Sequence, residues 1–221
     1  MKRLVSKIIW ICVFSIAMAY LEAAIVVYLR RLFGITDLVL QVPPFDQQIA
    51  AIELGRELAT LIMLMAIGLI AGHNFQSRLS FTLTAFGVWD IFYYLWLKVF
   101  IGWPKSFLDP DLLFLFPLPW WGPVCSPVFI SILMITGGVA VLWKTEKKVP
   151  NHFPLAFWIP LLLGVLLMLY SFMADAIRIL PASAATLNSL KPSKFNWPVY
   201  LIGLGLAFVA VLQIMIKQKK A

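Results

Sequence analysis

Charged residues are scarce in this sequence: Asp, Glu, Lys and Arg together make up 13% of the 221 residues, whereas 62% are hydrophobic. A soluble domain has roughly 25% charged and 45 to 50% apolar residues. The mean hydropathy is also high, at +0.92. The shortage of charge excludes an ordinary water-soluble domain and indicates an integral membrane protein with little mass outside the bilayer.

Cysteine and histidine are rare too, with two of each. Cys12 and Cys125 fall near opposite membrane faces in the topology derived below, too far apart for a disulfide bond, and we interpret both as packing residues. His73 and His152 fall at the ends of apolar runs, outside any His-x-x-x-His or Glu-x-x-His pattern. We therefore predict no metal site, haem or other cofactor.

Signatures of nucleotide and nucleic-acid binding are missing as well. The sequence contains no P-loop, no dinucleotide fingerprint and no heptad repeat. The net charge of +8 would suit nucleic acid, but the basic residues form short clusters between apolar runs, as membrane topology signals do. We predict the lipid bilayer, and no nucleic acid, as the partner.

What the sequence has instead is six long apolar runs. A bilayer core needs about 20 apolar residues per helix. The predicted spans are residues 8–29, 51–72, 81–102, 124–143, 153–173 and 198–216. The sequence therefore predicts an all-α polytopic bundle that forms a single membrane domain over residues 1–221. Pro160 should remove one backbone hydrogen bond and kink span five, and Gly137 with Gly138 should allow close helix approach in span four.

The segment from Pro104 to Pro123 is too short and too rich in proline to span again. Its Asp-Pro-Asp step, the apolar residues 112–116 and the pair Trp120 and Trp121 indicate a segment lying in the outer interface, where indole rings prefer to sit. We expect it to cover the outer side of the bundle, where a membrane-protein partner could bind.

The distribution of basic residues predicts the orientation. Ten Lys and Arg residues fall in the inner segments and six in the outer ones, whereas the acids outside the spans are mostly in the outer loops. The positive-inside rule then places both termini in the cytoplasm of a bacterial inner-membrane protein.

Asp90 lies in the middle of span three, within about 2 Å of the predicted midplane. An Asp at a helix centre costs roughly 2.5 to 3.5 kcal/mol to insert. It should therefore face other helices or water, be paired, or carry a proton.

Other polar side chains fall at similar depth on spans one to three. At 1.5 Å per residue, Glu22, Arg56 and Glu57 lie about 5 to 8 Å outside the midplane. We expect Arg56 to be held between Glu57 and either Glu22 or Asp90, with tyrosine hydroxyls completing the hydrogen bonds. The predicted ligand- or proton-binding residues are Glu22, Arg56, Glu57, Asp90, Tyr93 and Tyr94.

Three further residues, Glu53, Thr60 and Lys98, are predicted at the rim of this cluster. Glu53 and Lys98 fall closer to the membrane surface, where we expect their charges to be solvated.

The surplus of acid over base at this depth is the main functional clue, because an unpaired carboxylate in a membrane keeps a proton or holds a cation. The leading hypothesis is a protein that binds a small polar or cationic ligand, or relays protons, from the periplasmic side. One alternative is an enzyme for lipid or quinone head groups with Asp90 or Glu57 as general acid or base. Another is a non-catalytic subunit that anchors a partner through its outer loops, with Arg56 merely joining helices.

Three stretches carry a resemblance: ELGRE at Glu53–Glu57, WDIFYY at Trp89–Tyr94 and DLLFLFPLPWWGPV from Asp111. With them the sequence resembles uncharacterised bacterial six-helix integral membrane proteins over about residues 15 to 145. The resemblance implies six helices and an inner-membrane location, but no activity. The intramembrane glutamate proteases are excluded, because they carry two adjacent glutamates before the arginine and histidines on later helices.

Overall fold

A computed structural model describes residues 1–32, 34, 47–114, 118–147, 153–181 and 194–216. These residues form six α-helices: α1 (Lys2–Leu32), α2 (Gln47–Ala71), α3 (Phe75–Ile101), α4 (Cys125–Glu146), α5 (Leu155–Arg178) and α6 (Trp197–Ile216). A two-stranded antiparallel sheet, β1 (Pro110–Phe114) and β2 (Trp120–Pro123), lies between α3 and α4 in the chain. All six helices are long and apolar enough to cross a membrane, which confirms the predicted all-α six-span bundle.

Helix α3 is the centre of the bundle. It packs against α1, α2 and α4, and the indole Nε1 of Trp96 donates a hydrogen bond of 3.1 Å to the Ile16 carbonyl of α1. Helices α5 and α6 pack on each other and join the bundle through contacts of α6 with α4 and of α5 with β2. The helix that carries Asp90 is therefore enclosed by neighbours along most of its length.

Contacts at one end of the bundle show which helix ends lie together. The amino terminus of Met1 lies 2.8 Å from Glu146 Oε1, at the end of α4. Lys7 Nζ donates a 2.7 Å hydrogen bond to the Ala71 carbonyl, at the end of α2. We call this the terminal end, and the opposite end, where the strands lie, the ribbon end.

Glycines set the helix spacing around α4. A Cβ atom built on Gly138 would lie 2.7 Å from the Ser80 carbonyl oxygen of α3, so only glycine allows this approach. A Cβ atom on Gly137 would lie 3.4 Å from Val211 of α6. The predicted close packing is found at Gly138, whereas Gly137 faces a different helix at an ordinary van der Waals distance.

Helix α5 continues through Pro160. Proline lacks the N–H that would bond the carbonyl four residues earlier, here that of Ala156. Gln213 of α6 supplies the missing donor, because its Nε2 lies 3.2 Å from that carbonyl oxygen. The bond lost within α5 is therefore replaced by one between two helices.

The segment predicted to lie in the outer interface contains the β-ribbon formed by β1 and β2. Asp111 pairs with Gly122 and Leu112 with Trp121, and the register shifts between Leu112 and Phe114. Pairing satisfies backbone groups that a single extended segment would leave unbonded beside the bilayer. Residues 115–117, which include the end of the predicted apolar stretch, lie outside the described residues, as do most of the other loops predicted to be outer.

The ribbon is docked on α5 through aromatic rings. Trp120 stacks on Phe172 with ring centroids 6.2 Å apart and planes inclined by 5°. A Cβ atom on Gly122 would lie 2.7 Å from the Phe172 ring, so glycine at this position permits the contact. The ribbon therefore forms a fixed layer over one end of the bundle.

Candidate functional site

A cavity of about 340 Å³ lies in the ribbon-end half of the bundle. Its walls come from α1 to α5 and from the ribbon. Its charged lining residues are Glu22, Arg30, Glu53, Arg56, Glu57, Asp90 and Asp111. All six residues predicted from the sequence to bind a ligand or proton lie in this lining.

Arg56 joins helices α1 and α2 on one wall. It forms an ion pair with Glu22, and its Nη2 lies 2.9 Å from Glu53 Oε2. Glu22 also accepts a 2.5 Å hydrogen bond from Thr60 Oγ1. Glu53, three residues earlier on the same helix face, is thus a partner of Arg56 that the sequence did not predict. Glu57 is half-buried in the same wall.

The structure corrects the prediction for Glu53. A solvated position near the membrane surface was expected, but its relative exposure is 7%, close to the 6% of Glu22. Both carboxylates need the guanidinium between them, because an uncompensated buried charge is costly.

Asp90 is buried, and its partner is on α4. Ser131 Oγ donates a 2.8 Å hydrogen bond to Asp90 Oδ2. A Cβ atom on Gly87, one turn before Asp90, would lie 2.6 Å from the Ser131 carbonyl oxygen, so this glycine brings α3 and α4 together at the carboxyl group. The sequence suggested Arg56 as a partner for Asp90 and did not single out Ser131.

A second ion pair links the ribbon to the helices. Tyr94 donates a 3.1 Å hydrogen bond to Asp111 Oδ2, and Arg30 Nη2 lies 3.9 Å from Asp111 Oδ1. Arg30 also lies over the Trp103 ring, 5.2 Å from its centroid. Burial raises the pKa of the Asp111 carboxyl to about 6, although the Arg30 charge and the Tyr94 hydrogen bond act in the opposite direction.

Arg30 and Asp111 were not predicted as site residues. The sequence treated both as outer-loop charges, but α1 extends to Leu32 and the ribbon folds back over the bundle. The Asp-Pro-Asp step beside an apolar stretch was the one signal in the sequence that could have drawn attention to Asp111.

The remaining predicted residues divide between the cavity and the surface. Tyr93 lines the cavity, and its ring lies 6.2 Å from that of Trp89 and 5.2 Å from that of Tyr94. Lys98 lies outside the cavity and donates to the Gly102 and Pro104 carbonyls at 3.2 and 2.7 Å. Its role is to bond carbonyl groups at the C-terminal end of α3, rather than to form the predicted rim.

The acidic surplus is larger than the sequence indicated. The lining contains five carboxyl groups, of Glu22, Glu53, Glu57, Asp90 and Asp111, and two guanidinium groups, of Arg30 and Arg56, a difference of three. Within the described ranges, no three His, Cys, Asp or Glu side chains are arranged to hold a metal ion. The excess negative charge can instead be relieved by protons or by an organic cation.

The opposite wall of the cavity is apolar. It is formed by α4 and α5, with Ile130 and Met134 on α4 and Val165 and Leu169 on α5. Helices α2 and α5 both line the cavity, but α2 packs on α3 and, lightly, α1, whereas α5 packs on α6 and β2. Among the described residues, helix packing therefore does not close the gap between α2 and α5.

This fold and cavity define a multi-pass α-helical membrane protein with a cavity in one half of its bundle, lined on one side by charged side chains. In comparisons with known protein families, with curated proteins and with solved structures, no match to this chain was found. The resemblance noted from the sequence stays a prediction.

Proposed function

We propose that this protein binds a small ligand carrying an ammonium or similar cationic group inside the cavity. The proposal is based on the excess of acidic groups in one wall of the cavity, which contains five carboxyl groups and two guanidinium groups. A cation at this position would replace protons on the surplus acids and gain charge-assisted hydrogen bonds in a medium of low dielectric constant.

Asp90 is the best candidate for the ligand contact. Glu22 and Glu53 face Arg56, and Asp111 faces Arg30, whereas the bond shown for Asp90 comes from the neutral hydroxyl of Ser131. A carboxylate without a guanidinium at bonding distance has the most to gain from an incoming ammonium group.

We also infer that the ribbon end faces the periplasm of a bacterial inner-membrane protein with both termini in the cytoplasm. The ten-to-six distribution of basic residues supports this orientation. Labelling of single introduced cysteines in intact cells by an impermeant reagent tests it. A cysteine at Phe107, beside the ribbon, should be labelled, and one at Lys147, at the terminal end, should not; the reverse result would refute the orientation.

Methylammonium binding tests the proposed function. Calorimetric titration of the purified protein in a non-ionic detergent should detect binding, and Asp90→Asn should weaken it at least about tenfold, since a hydrogen bond to a charged group is worth roughly 1.5 to 3 kcal/mol. Asp175→Asn, which removes an acid outside the cavity lining, is the matched control and should bind as the unaltered protein does. Absence of binding, or equal loss in both variants, would refute the proposal.

The same variants separate simple binding from transport. If the cavity passes cations, vesicles containing the unaltered protein should take up labelled guanidinium, which stays charged and does not cross the bilayer unaided, in response to a proton gradient, and Asp90→Asn should abolish uptake. Uptake that persists in this variant would exclude a transport role for Asp90.

A second candidate function is an enzyme that acts on lipid or quinone head groups. The contact of Asp90 with Ser131 beside an apolar wall favours it, because a general acid or base would then face a membrane-embedded substrate. Mass spectrometry of defined lipids or quinones after incubation with the protein tests this candidate. It requires a new product that disappears with Asp90→Asn.

A further inference from the structure

We propose that the ligand of the cavity is an amphiphile, whose ammonium head binds the acidic wall while its hydrocarbon chain lies on the apolar wall and enters from the bilayer between α2 and α5. This inference rests on the proposed function for the head group and adds the chain and its route.

The two walls of the cavity have opposite chemistry. The acids and arginines come from α1, α2, α3 and β1. The facing side chains of α4 and α5 are all apolar except Ser131: Pro127, Ile130, Met134, Val165, Met168, Leu169 and Phe172. A small hydrated cation would leave this surface against water, whereas a hydrocarbon chain would cover it.

Two indole side chains with buried N–H groups also line the cavity. Trp89 and Trp121 have relative exposures of 8% and 7%. Within the part of the chain that the structure describes, neither indole N–H has a hydrogen-bond partner, and neither nitrogen is accessible from the cavity. The two rings therefore contribute apolar surface to the cavity rather than hydrogen-bond donors.

Val165 marks the place where the chain would cross from the bilayer into the cavity. Its side chain lines the cavity, and the residue is 38% exposed, on a helix long and apolar enough to span the membrane. The next residue, Leu166, is 63% exposed and does not line the cavity. On α2, Leu58 is 57% exposed beside Glu57, which does line it.

A series of n-alkylammonium ions from methyl- to octylammonium tests the chain. In titrations of the protein in dodecylmaltoside, with protein-free micelles subtracted, each added methylene should raise the affinity up to about fourfold until the wall is covered. Asp90→Asn should weaken every member of the series by a similar factor, since it removes a contact to the head.

A matched pair of substitutions on α5 tests the route. Val165→Trp fills the gap between α2 and α5 and should remove most of the gain from chain length, measured as the ratio of octylammonium to methylammonium affinity. Leu166→Trp places the same side chain one residue away, outside the cavity lining, and should leave this ratio unchanged. Unchanged melting temperatures for both variants show that they fold.

The outcomes separate this inference from the function on which it rests. If methylammonium and octylammonium bind with the same affinity, or if Val165→Trp does not reduce the gain from chain length, the proposal of an amphiphilic ligand is refuted. The proposal of a cation-binding site is not affected by either result. If no member of the series binds, the proposed function fails together with the inference.

Discussion

At the scale of single residues, Arg56 holds the acidic wall together. It lies between Glu22 of α1 and Glu53 of α2, and those two helices otherwise contact each other only lightly. Removing one partner from a buried ion pair leaves an uncompensated charge, which typically costs 3 to 5 kcal/mol. The association of α1 with α2 therefore depends more on the Arg56 side chain than on apolar packing.

Neutralising Arg56 should destabilise the protein much more than neutralising an exposed arginine. We expect Arg56→Gln to lower the free energy of unfolding in detergent by about 3 kcal/mol. Arg178→Gln is the control, because Arg178 also pairs with an acid three residues earlier, Asp175, but its side chain is 61% exposed. This control should cost less than about 1 kcal/mol. Equal losses in both variants would show that the Arg56 pairs contribute no more than surface pairs.

Asp111 should make stability depend on pH. Its pKa is raised from 3.8 to about 6 in the folded state, so between these values the folded protein binds more protons than the unfolded chain. The free energy of unfolding should therefore fall as pH rises from about 4 to about 6 and then level off, by at most roughly 3 kcal/mol from this group.

Comparison with Asp111→Asn isolates that contribution. Denaturant titrations of both proteins across the same pH range should give a shallower fall for the variant, since its amide does not titrate. Because Arg30 and Tyr94 contact Asp111, the variant is also expected to lose some stability at every pH. Identical slopes for the two proteins would contradict a raised pKa at Asp111.

Residue counting along the spans grouped side chains that line one cavity, but it did not predict their partners. Counting residues along each span brought Glu22, Arg56 and Asp90 to one level, and all three line the cavity. The rotation of each helix about its own axis and the position of the ribbon over the bundle are set by packing. Counting residues along a span gives no information about packing. Ser131 and Asp111 were therefore missed.

At the scale of helices, α5 and α6 cross at two glycines. A Cβ atom on Gly164 would lie 2.5 Å from the Gly203 carbonyl oxygen, and one on Gly203 would lie 2.7 Å from that of Gly164. The backbones touch here, which gives the pair close packing without large side chains.

A methyl group at this crossing should separate the two helices. Gly164→Ala is expected to lower the melting temperature, because the clash is with backbone that cannot move away alone. Gly205→Ala is the control on α6, where nothing lies within 4 Å of the new methyl group. It should leave stability unchanged or raise it by up to about 1 kcal/mol through helix propensity. A stable Gly164→Ala variant would contradict the observed crossing.

The bond from Gln213 to the Ala156 carbonyl should matter only while Pro160 is present. Gln213→Leu is expected to cost about 1 kcal/mol, because it leaves that carbonyl without a donor. In a Pro160→Ala background the helix supplies its own N–H, so the same substitution should cost less. A double-mutant cycle of unfolding free energies measures the difference. Additive effects would show that the two residues are not coupled.

The sequence predicted the helices far better than it predicted the ribbon. Each span is a local property of about 20 apolar residues. The polar ends of the helices are harder to predict from apolar runs. Helix α1 begins at Lys2, whereas the predicted span began at residue 8. The ribbon pairs residues 110–114 with 120–123 across a proline-rich segment, and such pairing depends on the surface that α5 provides.

At the scale of the whole molecule, the arrangement of the bundle creates the cavity. Helices α1, α2 and α4 surround α3, while α5 and α6 form a pair attached through α4 and β2. The ribbon packs on α4 and α5 and lines the cavity with Trp120 and Trp121. The polar groups that three spans bring to one depth are thereby enclosed against an apolar surface.

The proposed function requires that the surplus carboxyl groups in the cavity exchange protons for a cation. Its most direct test is the number of protons released when n-hexylammonium binds at about pH 6, where an amine with a pKa near 10 stays charged. Titration calorimetry in buffers of different ionisation enthalpy gives that number. We predict about one proton released per bound cation in the unaltered protein and fewer with Asp90→Asn. Binding without proton release, equally strong in the variant, would contradict the account.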